Sequence, residues 1–244
     1  MLLKAHEADM DADVIVKPAH SELACPRLVI FDLDGTLVDS AGDIQKAANN
    51  TFSELKLAQQ PLEQIKRWIG GGAQVFVEKA MEYYGKMEWY DRAYELFMEY
   101  YRAVPAERTQ MYAGARGFIN YLAEQKIAMA IVSNKPFELI LPILEHLDIA
   151  QHFKVVLGGD CLATKKPNPE PLLHVCRKLE LAVTEAWMVG DSAKDADAAE
   201  KAEMPFVGVT YGYALMDTDI RPQRVPHTVV DNLEQLIPVI NQAR

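Results

Sequence analysis

Residues 28–40 read LVIFDLDGTLVDS, an apolar run that leads directly into Asp32, Asp34, Gly35 and Thr36. An apolar run of this length that ends at a turn signal predicts a fully buried strand. In an open α/β sheet, ligands bind outside the carboxyl ends of the strands, and Asp32 is expected at that edge. The stretch therefore predicts an α/β fold and also the place where its site forms.

The two acids, Asp32 and Asp34, are separated by a single residue. In an extended chain their side chains point to the same side, and two carboxylates at such a short distance repel each other. A divalent cation held between oxygen ligands would relieve the repulsion and make a magnesium site. A proton on one acid would also relieve it and would supply a general acid. The alternative is an acidic turn after a strand, in which Asp34-Gly35 is an ordinary turn dipeptide.

Composition limits the class of partner. The chain has 244 residues and a formal net charge of -10, which argues against nucleic acid because phosphate backbones need clustered Lys and Arg. No apolar run approaches the ~20 residues of a membrane span, and residues 1–26 do not resemble a signal peptide. Three scattered cysteines fit a reducing compartment and form no zinc motif. We therefore expect a cytoplasmic protein whose partner is a small molecule. Nucleic acid and membrane are not expected as partners, and a homodimer is possible.

The pattern of elements divides the chain. Residues 43–107 show only helical periodicity, whereas strands and helices alternate from residue 108 onward. Such alternation predicts a parallel, doubly wound sheet. We predict a core of residues 27–42 and 108–244, an inserted helical domain at 43–107, and an N-terminal extension at 1–26.

Polar side chains follow several of the predicted strands directly, namely Asp32, Ser133, Asp160 and Asp191. The carboxyl ends of parallel strands lie together, so these distant residues can converge. Phosphoryl transfer is mostly positioning and charge neutralisation, and it needs a nucleophile, a metal, a cation, hydrogen-bond donors and a proton source. The converging segments contain all of these roles.

Asp32 is the candidate nucleophile, because a carboxylate can form an aspartyl-phosphate and divide one hard displacement into two easier ones. Asp34 would protonate the leaving alkoxide and then take a proton from the attacking water. The hydroxyl of Ser133 would hold phosphoryl oxygens together with nearby backbone N–H groups. The alternative for Ser133 is a helix N-cap ahead of Pro136.

Lys166 lies in the segment KKPNP at 165–169, whose prolines are expected to hold the backbone extended and fix the lysine against a phosphoryl group. Asp191 would complete the metal site. Asp195 lies one helical turn later and could orient Lys166 or a metal-bound water. The alternatives are a solvated lysine pair and a helix N-cap with acidic residues in its first turn.

Taken in order, DLDGT at 32–36, Ser133, Lys166, and GDS at 190–192 with Asp195 resemble the four motifs of the haloacid dehalogenase superfamily. The resemblance implies a Rossmann-like core and an inserted C1-type cap at 43–107. It also implies magnesium held by the Asp32 carboxylate, the Asp34 backbone carbonyl and the Asp191 carboxylate. The residues expected to bind phosphate are Gly35, Thr36, Ser133, Asn134 and Lys166.

The second acid, Asp34, separates subfamilies, since dehalogenases of this type lack it. The resemblance is closest to a bacterial branch that hydrolyses 2-phosphoglycolate to glycolate and phosphate. The cap residues expected to bind the leaving group are Arg67, Gly70, Gly71 and Gly72. The alternative is that Arg67 is a surface helix residue and that the glycines only end a helix. Other readings are a phosphatase for a sugar or amino-sugar phosphate, a mutase resembling β-phosphoglucomutase, and a non-enzymatic phospho-acceptor module.

Overall fold

A computed structural model describes residues 23–213 and 227–243, so most of the predicted extension at 1–26 lies outside the described residues. Its strands are β1 (Leu28–Phe31), β2 (Val38–Asp39), β3 (Gln110–Met111), β4 (Ala128–Val132), β5 (Val155–Leu157), β6 (Ala186–Gly190), β7 (Phe206–Val209) and β8 (Thr228–Val230). Its α-helices are α1 (Ala41–Glu54), α2 (Leu62–Lys66), α3 (Ala73–Tyr84), α4 (Tyr90–Ala103), α5 (Ala115–Glu124), α6 (Phe137–His146), α7 (Glu170–Leu179), α8 (Ala193–Lys201) and α9 (Leu236–Gln242).

Six strands form one sheet in the order β5-β4-β1-β6-β7-β8, and every neighbouring pair is parallel. The chain moves outward from β1 to β4 and β5 and then returns to β6 on the other side of β1. Strand order therefore reverses around β1, and a crevice opens at the carboxyl ends of β1, β4 and β6. The predicted Rossmann-like, doubly wound α/β core is confirmed.

The central strand β1 is buried on both faces because successive side chains point to opposite sides of the sheet. Val29 and Phe31 pack into a cluster with α5, where the rings of Phe31 and Phe118 meet edge to face at 6.1 Å. Leu28 and Ile30 pack into a second cluster with α7 and α8. Helices on both faces explain why the strand reads as a continuous apolar run.

The insertion between β1 and β4 is helical, as predicted, and has a hydrophobic cluster of its own. Trp68 lies at its centre, with its ring edge to face against Phe52 at 6.2 Å and against Phe76 at 5.9 Å. Leu139 on α6 also packs into this cluster and so joins the insertion to the core. The inserted all-helical cap is thus present, while the boundaries at 27–42, 43–107 and 108–244 stay a prediction.

The sequence did not indicate the antiparallel pair of β2 and β3, which joins the two ends of the insertion through Val38 opposite Met111 and Asp39 opposite Gln110. A strand of two residues has no periodicity to detect. Within the described ranges, none of the helices is long and apolar enough to cross a membrane. The expected cytoplasmic location and the homodimer stay predictions.

Candidate active site

Asp32 lies directly after β1, and its backbone N–H continues the sheet by donating to Val189 O at 2.9 Å. Its buried side chain accepts a hydrogen bond from Lys166 Nζ at 2.9 Å. Burial raises the pKa of Asp32 to about 6, although the charge of Lys166 acts in the opposite direction. The strand end thus holds a carboxylate that gains from a nearby cation.

Lys166 is only 2% exposed, and its ammonium lies between two carboxylates, 2.9 Å from Asp32 Oδ1 and 2.6 Å from Asp195 Oδ1. Burial lowers its pKa, but the charges of Asp195 and Asp32 outweigh burial and leave the pKa above its ordinary value. Lys166 is therefore a permanent positive charge. The alternative of a solvated lysine pair is excluded for this residue.

The segment that carries Lys166 is a turn, so the expectation of an extended backbone was wrong. Asn168 N donates to Lys165 O at 2.9 Å, and the peptide bond between Lys166 and Pro167 is cis. A proline at the third position of a turn can adopt this form, whereas the rule for residues before proline assumes a trans bond. The turn directs Lys166 inward and leaves Pro167 exposed.

Asp191 follows β6 but does not cap the next helix, because Ser192 is the N-cap of α8 and forms a capping box with Asp195. Asp191 Oδ2 instead accepts a hydrogen bond from Tyr213 N at 2.7 Å. A Cβ added at Gly35 would lie 2.4 Å from Asp191 Oδ2, and one at Gly212 would lie 2.2 Å from it. The carboxylate is therefore held in a space that only glycines leave open.

Three buried carboxylates, from Asp32, Asp191 and Asp195, offer oxygen atoms that all lie within 4.8 Å of one another. An all-oxygen set of this kind suits a hard divalent cation. Asp195 is already engaged, since Lys166 bonds Oδ1 while Ser192 N and Oγ bond Oδ2. The cluster fits a cation held by Asp32 and Asp191, with Asp195 holding Lys166. The Asp34 carbonyl as a third ligand stays a prediction.

The side chain of Asp34 is held from two sides. Lys135 Nζ lies 2.9 Å from each carboxylate oxygen, and Ser40 Oγ donates to Oδ1 at 2.5 Å. Burial acts to lower the pKa of Lys135, but Asp34 and Tyr101 beside it together outweigh burial and raise the pKa above its ordinary value. No pattern in the sequence pairs Lys135 with Asp34; its position two residues after Ser133, beside a predicted strand end, is the signal that points to the site.

Ser133 and Asn134 follow β4 and line the same cavity as Asp32, Asp34 and Lys166. Ser133 is not an N-cap: α6 begins at Phe137, with Pro136 in the cap position. Ser133 Oγ accepts a hydrogen bond from Lys135 N at 3.3 Å. The hydroxyl is thus available at the strand edge, as the phosphate-binding prediction requires.

Two other predicted positions lie away from that cavity. Thr36 is buried, its carbonyl accepts from Tyr211 Oη at 2.8 Å, and its hydroxyl has no partner among the described residues. Asp160 is exposed and accepts from Phe137 N at 2.8 Å, so it serves the start of α6. Neither side chain lines the two cavities beside Asp32. The structure does not bring them to the site, and Gly35 contributes space for Asp191 instead.

The cap residues divide between the two cavities. Gly70 and Gly72 line the one that contains Ser133, and exposed Arg67 lines a neighbouring one beside Asp32. In the glycine loop, residues 70–72, it is the backbone carbonyls that accept hydrogen bonds from the core. Asn134 Nδ2 donates to Gly70 O at 3.1 Å. Lys165 Nζ donates to Gly71 O at 2.9 Å. The loop therefore rests on the core, and its binding of a leaving group stays a prediction.

Above the acids, the cavity has an apolar wall to which the cap contributes most of the side chains. The wall residues are Ile44, Ile69, Phe76, Phe97 and Leu139. Most of the polar groups belong to the ends of β1 and β4, to the Lys166 turn and to the start of α8, where Ser192, Lys194 and Asp195 line the cavity. A charged group would therefore bind toward the sheet edge, and the rest of a ligand would lie beneath the cap.

Known proteins are similar to this chain over the sheet, the cap and the acidic residues. The family model for haloacid dehalogenase-like hydrolases matches residues 29–209, and the chain belongs to that family. The phosphoglycolate phosphatase of Pseudomonas fluorescens strain Pf0-1 is 37% identical over 222 residues, covering 87% of this chain and 79% of the relative. The Salmonella typhi enzyme of the same name is 35% identical and covers 88% of this chain and 92% of the relative.

A solved structure is similar to this chain in fold. The crystal structure of a predicted phosphoglycolate phosphatase from Haemophilus somnus 129pt has a TM-score of 0.80 and 29% sequence identity to this chain. The match covers 89% of this chain and 99% of that one. The shared arrangement therefore includes both the sheet and the helical insertion.

Proposed function

We propose that this chain is a magnesium-dependent phosphatase that hydrolyses 2-phosphoglycolate to glycolate and phosphate. The observation that carries the proposal is the buried ammonium of Lys166, shared by Asp32 and Asp195 beside Asp191. This arrangement neutralises charge where a phosphoryl group would meet a carboxylate nucleophile. The relatives named phosphoglycolate phosphatase, which match over most of the chain, support the choice of substrate.

In the first half of the reaction, an oxygen of Asp32 attacks phosphorus and the bond from phosphorus to the glycolate oxygen breaks. Asp34, which must enter this half protonated, gives its proton to that oxygen, so that glycolate leaves as an alcohol; the second half returns the proton. Ser40 and Lys135 hold the Asp34 side chain in position for this transfer. The products of this half are glycolate and a phosphoryl group bonded to Asp32.

In the second half, Asp34 takes a proton from water, and the water oxygen attacks phosphorus. The bond from phosphorus to Asp32 breaks, which releases phosphate and restores the carboxylate. Lys166 and the Ser133 hydroxyl bind phosphoryl oxygens in both halves. Magnesium bound by Asp32 and Asp191 would supply further positive charge against the phosphoryl group.

We also propose that residues 43–107 act as a cap domain over a core of residues 27–42 and 108–244. The contacts of Asn134 and Lys165 with the glycine loop support this division, because they join the insertion to the loops that carry Ser133 and Lys166. A closed cap would exclude bulk water during the first half.

A second candidate is a phosphatase for a sugar or another hydroxyl-bearing phosphate ester. Asn134 Oδ1 is buried in the cavity wall without a hydrogen-bond partner among the described residues. Glycolate offers no hydroxyl donor besides the oxygen being released, whereas a sugar offers several. The relatives favour the first candidate, and a substrate comparison separates the two.

The test is release of inorganic phosphate from 2-phosphoglycolate and from a panel of sugar phosphates, with and without magnesium. We expect the highest kcat/KM on 2-phosphoglycolate and no turnover after magnesium is chelated. Asp32→Asn should abolish turnover, whereas Asp91→Asn, at an exposed position on the cap helix α4, should not change it. Better turnover of a sugar phosphate would remove the glycolate assignment, and an active Asp32→Asn protein would exclude Asp32 as the nucleophile.

A further inference from the structure

Tyr101 lies near the end of α4, inside the cap, and is only 2% exposed. Its side chain lines the cavity that also contains Asp34, Asn134 and Lys135. No hydrogen bond of normal geometry reaches its hydroxyl within the part of the chain that the structure describes, and the ammonium of Lys135 beside the ring can interact only with its oxygen. The cap therefore carries a buried O–H donor at the wall of the candidate active site, without a protein acceptor.

A buried O–H donor without an acceptor is unfavourable, because it has lost its hydrogen bond to water and gained none in return. Phenylalanine would fill the same space without that cost. Phe97, one helical turn earlier on α4, does so on the same wall, and its ring packs 5.7 Å from that of Tyr101. The packing of the cap therefore does not account for the hydroxyl, whereas a ligand in the cavity would.

The position of the ring places this hydroxyl near the proposed acid–base residue. Lys135 Nζ lies 4.8 Å from the centroid of the Tyr101 ring and 2.9 Å from both carboxylate oxygens of Asp34. Burial raises the pKa of Tyr101 to about 12, so the phenol keeps its proton and remains a donor at neutral pH. A donor here lies beside the Lys135–Asp34 pair, where the leaving group would be protonated.

We propose that the Tyr101 hydroxyl is a specificity-determining donor that hydrogen-bonds the carboxylate of the leaving glycolate. The inference rests on the proposed function and deepens it, since it names the cap residue that recognises the anionic end of the substrate. The nearby wall side chains of Phe76, Phe97 and Leu139 offer no donor to a carboxylate. Tyr101 and Lys135 together would replace the water that the carboxylate loses beneath the cap.

The test compares two substrates that differ only at this end: 2-phosphoglycolate and ethyl phosphate, in which a methyl group replaces the carboxylate. In Tyr101→Phe we expect kcat/KM for 2-phosphoglycolate to fall at least about tenfold, the usual loss for one hydrogen bond to a charged group. For ethyl phosphate it should stay within about twofold, because that leaving group has no acceptor to lose. Tyr100→Phe is the matched control: its hydroxyl bonds Glu54 on the surface, so both substrates should be unaffected.

The outcomes separate this inference from the proposed function. If the wild-type protein prefers 2-phosphoglycolate and Tyr101→Phe keeps that preference, the inference is overturned and the function stands. If the wild-type protein shows no preference, the proposed function fails and the inference fails with it. An equal loss on both substrates, or a lower unfolding temperature for Tyr101→Phe, would show that the hydroxyl supports the fold and would also overturn the inference.

Discussion

Replacing Lys166 with methionine should destabilise the fold as well as stop catalysis. The Lys166 ammonium is 2.9 Å from Asp32 and 2.6 Å from Asp195, and neither carboxylate has much contact with solvent. Methionine fills most of the volume of the lysine stem, so the change removes the charge and leaves little cavity. Two buried carboxylates would then lie close together without their shared cation.

The expected loss follows from that environment. Removing one partner from a buried ion pair costs about 3–5 kcal/mol, because the charge that remains is buried and uncompensated. For a protein of this size each kcal/mol lowers the midpoint of thermal unfolding by about 2–4 °C, so Lys166→Met should unfold about 6–20 °C earlier. The loss is predicted without magnesium, where no metal ion offsets it.

The assay is thermal and urea unfolding of purified protein, with Lys165→Met as a matched control one residue away. Lys165 is half-buried and donates one hydrogen bond to a backbone carbonyl, so its replacement should cost only about 0.5–1.5 kcal/mol. Adding Asp195→Asn to Lys166→Met should recover part of the loss, because it removes one of the unpaired charges. The reasoning is refuted if the two lysine variants are equally stable, or if the double variant is no more stable than Lys166→Met.

Two further predictions concern the acids. Gly212→Ala should weaken magnesium binding about 10–100-fold in calorimetry with the fold retained, because its Cβ would lie 2.2 Å from Asp191 Oδ2. In Gly42→Ala, where the nearest atom is 3.3 Å away, the affinity should not change; equal affinities in the two variants would contradict the assignment of Asp191. Asp34→Asn should lower kcat for 2-phosphoglycolate about 10²–10⁴-fold, because a carboxamide cannot exchange the proton. With p-nitrophenyl phosphate, which needs no acid to leave, the same variant should give a burst of nitrophenol and then slow turnover; steady turnover at the wild-type rate would exclude Asp34 as the base.

Most of the core could be predicted from the sequence, because the patterns that indicate its strands and helices lie within short stretches of the chain. The apolar run of β1 and the alternation after residue 108 require only neighbouring residues, and both led to the observed parallel sheet. The convergence of Asp32, Ser133, Lys166 and Asp191 was also accessible, since strand ends meet at one edge in any such sheet. The chemical roles of these residues stay predictions.

Pairings between distant segments were not accessible. Lys135 meets Asp34 across about a hundred residues of sequence, and Tyr213 N reaches Asp191 from the loop after β7. Each depends on how a loop folds back over the sheet edge, which no periodicity describes. Tyr101 was hidden for another reason: α4 is full of aromatic residues, and nothing in the sequence marks Phe97 and Tyr101 as the two that line the cavity.

The cap and the turn that carries Lys166 are connected through a short bridge of hydrogen bonds. Asn134 Nδ2 donates both to Lys166 O at 2.9 Å and to Gly70 O at 3.1 Å, and Lys165 Nζ donates to Gly71 O. Opening the cap would break two of these bonds, and each contributes a net stabilisation of about 0.5–1.5 kcal/mol. These two bonds are only part of what holds the cap closed, because Arg102 of α4 also pairs with Glu138 of α6 and Leu139 packs into the cap cluster. Because Asn134 bonds both sides, the loop that supports Lys166 also holds the glycine loop when the cap is closed.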